Sequence, residues 1–184
     1  MLVAADLMRS DKVVLKWLTD TKDIMALIGG IMSVVQPELF SIGRQALEQL
    51  ANHKDDLLPT QAEELLEVLE QWWAPFNGIT VISNRQTPLH RDLGGRPGWS
   101  DLLVALGKYQ HGRFELPGLG LIYRYNPGTM ICFAGSAFEH GANCNGDRAC
   151  IAFYMKDNIM NRLGLPIADW LNVGEYQSGE GAVQ

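Results

Sequence analysis

Apolar positions recur at helical spacing through the first 73 residues, and from Phe76 onward they fall into short alternating runs punctuated by glycine and proline. Residues Val13–Leu18 and Ile24–Val35 read as apolar helical stretches broken by Gly29-Gly30. Pro37 beside Glu38 predicts the first turn of a helix running to about Asn52. Leu39, Phe40, Ile42, Ala46, Leu47 and Leu50 form its apolar stripe. A second helix is expected from Pro59, with Thr60 and Glu63 as a capping box, through Leu65, Leu66, Val68 and Leu69 to Trp72-Trp73, ending before Pro75. Its Glu63, Glu64, Glu67 and Glu70 read as a solvated face, and the paired tryptophans as core anchors.

The β-like runs are Ile79–Ser83, Leu89–Asp92, Arg113–Leu116, Leu121–Tyr125, Thr129–Ala134, Phe138–His140 and Ala149–Met155. Turns are expected at Gly94–Gly98, Pro117–Gly120, Asn126–Gly128 and, as a hairpin, at Asn145-Gly146. Seven or eight short strands with these breaks predict an α+β fold: a double-stranded β-helix (jelly roll, cupin-like) with N-terminal helices packed on one sheet. The expected organisation is a helical extension over 1–35, one jelly-roll domain over 36–175 and a disordered tail over 176–184.

Composition fits this picture. With 184 residues, the chain is long enough for one domain with a substantial core. Its hydrophobic content of 47% and the lack of an apolar run near the ~20 residues of a membrane span make a membrane partner unexpected. The N-terminus has no basic segment of signal-peptide type, so an intracellular location is expected. Cys132, Cys144 and Cys150 are too few for a disulfide framework and read as ordinary thiols. Net charge is -6, but its distribution is uneven. Residues 85–124 alone are net basic, with Arg85, Arg91, Arg96, Lys108, Arg113 and Arg124 against Asp92, Asp101 and Glu115.

That basic third also carries the most informative spacing in the chain. His90 and Asp92 are two residues apart at the end of a β-like run, where side chains on a strand share a face. His140 follows fifty residues later, and Arg148 eight residues beyond it. Two histidines and one carboxylate make a facial ligand set that leaves three adjacent positions open, diagnostic of non-haem Fe(II) oxygenases. Arg148 supplies a planar, permanently charged fork for the distal carboxylate of a keto-acid co-substrate. His90, Asp92 and His140 are therefore the expected catalytic metal ligands and Arg148 the cofactor-binding residue of an Fe(II)/2-oxoglutarate dioxygenase. His53 and His111 lack such partners and read as ordinary histidines.

The run Asn77–Asp92 resembles the fungal branch of the TET/J-binding-protein dioxygenases. So do Trp99–Leu103, Leu116–Leu121, Tyr125–Thr129, His140-Gly141, Arg148–Met155 and Asn161–Gly164. The resemblance implies a jelly roll, Fe(II), 2-oxoglutarate and dioxygen, and stepwise oxidation of 5-methylcytosine in methylated DNA. A nuclear location goes with such a substrate. A base must be flipped from the duplex before it is oxidised, at a cost repaid by phosphate contacts and stacking. Asn84, Arg91, Arg96 and Trp99 are the candidate substrate-binding residues, with Arg85 and Lys108 as further phosphate contacts and Thr87 beside the co-substrate or the base. The same spacing also resembles prolyl hydroxylases, which leaves a protein side chain or small metabolite as an alternative substrate. A third alternative is a non-catalytic, transposon-associated relic.

Overall fold

A computed structural model describes residues 12–52, 66, 69, 71–166 and 168. The chain divides into two compact units, one made of residues 1–75 with 159–184 and the other of residues 76–158. The capping box at Thr60 and Glu63, most of the helix expected over 59–73, His53 and the tail over 176–184 lie outside the described residues.

The first unit contains helices α1 (Lys12–Asp20), α2 (Lys22–Val35) and α3 (Pro37–Asn52). Helix α2 runs unbroken through Gly29-Gly30, contrary to the expected interruption. Gly29 is an approach point: a Cβ there would lie 2.5 Å from the Trp73 carbonyl oxygen. A glycine that admits a neighbouring backbone gains enough packing to offset its low helix propensity. The inward stripes are Met25, Ile28 and Met32 on α2 and Leu39, Ile42, Ala46, Leu47 and Leu50 on α3, at the three- and four-residue spacing of an amphipathic helix. The two helices pack together across position 35/36, the expected start of the main domain. Of the two tryptophans, Trp72 is buried, whereas Trp73 is exposed beneath the Arg44 guanidinium.

The second unit is a six-stranded antiparallel sheet. Its strands are β1 (Gly78–Ser83), β2 (Thr87–His90), β3 (Asp101–Leu116), β4 (Leu121–Arg124), β5 (Met130–Phe133) and β6 (His140–Tyr154). Long strands β3 and β6 pair along most of their length. Strands β1 and β2 flank β6, and β5 and β4 flank the two ends of β3. A last described helix, α4, spans Asp157–Arg162.

Two corrections concern strand number. The Asn145-Gly146 hairpin is absent, and one continuous strand, His140–Tyr154, joins the end of the expected run at 138–140 to most of the run at 149–155. Gly146 keeps its positive φ of 117° but serves a close approach, since a Cβ would sit 2.8 Å from the Lys108 carbonyl oxygen. Likewise Arg113–Leu116 is only the end of a strand that begins at Asp101.

Strand β3 turns the sheet into a roll. Phe133 pairs with Asp101, and Phe114 lies thirteen residues further along the same strand. A straight strand would separate those positions by about 43 Å, yet the Phe114 and Phe133 rings are 5.1 Å apart. Between Gln110 and Arg113 the pairing of this strand is irregular; there His111 takes a left-handed φ of 54° and Gly112 lies tight against the Tyr125 carbonyl. The interior of this α+β jelly roll is a cluster of Ala105, Tyr109, Phe114, Leu116, Tyr125, Phe133 and Ala142.

Candidate metal centre

Strand pairing places His90 directly opposite His140, with ring centroids 4.3 Å apart. Strand β2 ends at His90, so Asp92 is not delivered by strand alternation as its spacing suggested. It lies in the following loop, where its backbone N–H donates to the Gly135 carbonyl at 3.0 Å. That bond brings the carboxylate to both imidazoles: Asp92 Oδ1 is 3.3 Å from His90 Nε2, and Oδ2 is 3.7 Å from His140 Nε2. One donor atom from each residue lies within 4.8 Å of the others, so the three could hold a single ion.

The donor chemistry fits a divalent transition metal. His90 Nδ1 and His140 Nδ1 lie 2.9 and 3.0 Å from the carbonyls of Pro88 and Phe138. If each Nδ1–H donates there, both Nε2 lone pairs are left for a metal, the usual way in which a second partner orients a histidine ligand. His140 is only 4% exposed, stacked on Phe114 and edge-on to Phe133. Burial lowers its pKa and favours the neutral, coordinating ring.

Asp101 belongs to this neighbourhood and was not singled out from the sequence as a site residue. Its carboxyl is pushed up to about 7, first by burial and then by the charge of Asp92, with the Gly135 N–H pulling the other way. A Cβ on Gly135 would collide with carboxylate oxygens of both aspartates. The Gly135 peptide thus bridges them, and only glycine leaves the room. An aspartate beginning an apolar run, Asp101-Leu102-Leu103-Val104-Ala105, was the available signal.

Arg148 is 4% exposed yet has no carboxylate partner among the described residues. Its Nη2 donates to the Arg85 carbonyl at 2.6 Å and to Thr87 Oγ1 at 3.3 Å. Its guanidinium lies 5.8 Å from the centre of the Tyr125 ring. All these partners are neutral. Thr87 stands on β2 with His90, and Tyr125 contacts Phe114, which packs on His140. The arginine therefore borders the same interior as the triad.

The four candidate substrate residues are placed differently from one another. Asn84 braces Arg148: its Oδ1 accepts the Arg148 backbone N–H at 3.0 Å, and its own N–H donates to the Arg148 carbonyl at 2.7 Å. Trp99 is buried at 2% exposure, and Arg96 lies over its ring while pairing with Asp157. Arg91 is exposed beside the triad, and Arg85 and Lys108 are exposed as well. Cys144 lies within β6, and no thiol joins the metal-ligating group among the described residues.

The Tet_JBP family model, described as the oxygenase domain of the 2OGFeDO superfamily, matches residues 7–157. The chain belongs to this family. It is an Fe(II)- and 2-oxoglutarate-dependent dioxygenase. The match begins within the segment expected to be an N-terminal extension. Among curated proteins, no match to the chain is found.

Proposed function

We propose that this dioxygenase oxidises a modified nucleic-acid base, 5-methylcytosine in DNA, with His90, Asp92 and His140 as iron ligands and Arg148 as the co-substrate anchor. The observation that carries the anchor is a buried guanidinium whose partners among the described residues are all neutral. A buried charge without a counter-ion is costly, and the distal carboxylate of 2-oxoglutarate supplies one in bidentate geometry. Iron and 2-oxoglutarate, when bound, supply oxidation of a substrate C–H bond by dioxygen as the keto acid becomes succinate and carbon dioxide. The chain's own residues position and shield. Phe114 and Phe133 fix the His140 ring, Thr87 orients the Arg148 fork and Tyr125 covers its face.

The family supports a nucleobase as substrate, as does the loop that follows β2. That loop places Leu93, 99% exposed, and Arg91 beside the triad, an apolar tip and a cation suited to a displaced base and its phosphate. A nuclear location follows from this substrate. The test is incubation of methylated and unmethylated duplexes with Fe(II), 2-oxoglutarate and air, followed by mass spectrometry of the released bases. Oxidised methylcytosine that disappears in His90→Ala is the expected result. Succinate formation with every base unchanged would overturn the DNA assignment.

A further inference from the structure

A cleft of about 660 Å³ is lined by residues that include Tyr109, His111, Arg113 and Arg124. Arg113 pairs directly with Arg124 across the β3–β4 ladder, so both side chains leave the same face of the sheet. Like charges at directly opposed positions destabilise a sheet. Both arginines are exposed, and neither forms an ion pair among the described residues. Glu115 is the single carboxylate on that face of the ladder, two residues from Arg113 and diagonal to Arg124, which leaves the face net positive.

Three further features point outward. His111 holds a left-handed backbone at the irregularity that shapes the cleft, a costly conformation for a residue other than glycine. Strand β4 is an edge strand, and Arg124 is exposed on it. The cleft also lies in the only net-basic third of an otherwise acidic chain. Repulsion kept between two exposed arginines that lack ion pairs among the described residues fits a ligand carrying repeated negative charge.

We infer that this cleft is a phosphodiester-binding site, gripping the backbone of the substrate strand with Arg113 and Arg124. The two forks spring from Cβ atoms about 5 Å apart, close enough to straddle one phosphate or reach two neighbours. The identity of the polyanion rests on the nucleic-acid function proposed above.

The test is fluorescence anisotropy of a labelled, unmethylated duplex with the Fe(II)-loaded protein under anaerobic conditions, repeated across salt concentrations. The Arg113→Gln/Arg124→Gln double variant should bind more weakly, and its log–log salt slope should fall by about two, near 0.9 for each lost phosphate contact. Lysine at both positions should restore the slope, which a merely structural defect would not allow. An unchanged slope in the double glutamine variant overturns the inference, as does failure of the parent protein to bind. Oxidation of methylcytosine with an unchanged slope would sink this site and spare the proposed function. Arginine-dependent binding without base oxidation would do the reverse.

Discussion

His140 and Arg148 lie eight residues apart on β6 and are equally buried, but they are held by different means. His140 is fixed by packing between Phe114 and Phe133, with one hydrogen bond drawn from the ring nitrogen that faces away from the metal site. Arg148 is fixed by polar bonds, with Asn84 on its backbone and the Arg85 carbonyl and Thr87 hydroxyl on its fork. A metal ligand needs one bare lone pair at a set position, which a rigid apolar cage provides. An anion anchor must keep its charge while buried, which requires neutral acceptors that do not compete with the incoming carboxylate.

The sharpest break of this contrast is at the metal end. His140→Ala should remove Fe(II) binding and reduce succinate formation to that of the metal-free protein, read by anaerobic titration and turnover. At the arginine end, Arg148→Lys should leave Fe(II) affinity intact while weakening 2-oxoglutarate roughly tenfold to a hundredfold, the worth of a lost charge-assisted fork. Equal losses of iron and keto acid would show that the two ends are not independent. Gly135→Ala, which drives a methyl group into Asp92 and Asp101, should lower iron affinity by about 10–100-fold, as disturbed outer partners of metal ligands do. Asn84→Ala should cost about 1–2 kcal/mol in denaturant unfolding through loss of its brace and its left-handed backbone (φ 49°). Asn84→Gly should recover the backbone part only.

A comparable effect, confined to higher pH, concerns Asp101. Its folded pKa of about 7 lies above the ordinary value of 3.8, so the folded chain keeps a proton that the unfolded chain releases. Stability from this group is full below the ordinary value and is lost as pH rises through about 7. In the metal-free protein, Asp101→Asn should therefore gain roughly 1–2 kcal/mol at pH 8, an advantage that shrinks toward pH 4. Thermal unfolding at both pH values decides it, and an advantage independent of pH would exclude this cause.

Much of this protein was legible in its sequence because periodicity and ligand chemistry are local. The α3 stripe, strand β1 and the loop after Asp92 needed only neighbouring residues to be read, and His90, Asp92, His140 and Arg148 stood out by residue type and spacing. The Gly29-Gly30 interruption and the Asn145-Gly146 hairpin did not survive. A glycine reads alike as a breaker or as a place where another backbone comes close, and only the partner distinguishes the two. Trp99 and Arg96 read as candidate substrate-binding residues, but burial of the one and the pairing of the other with Asp157 are long-range facts. Asp92 reaches the histidines through the carbonyl of Gly135, and Asp101 joins them because β3 bends back on itself. The sequence by itself determined which side chains could bind a metal and an anion. The tertiary structure alone decided which of them meet, because hydrogen bonds and burial are made between residues far apart along the chain.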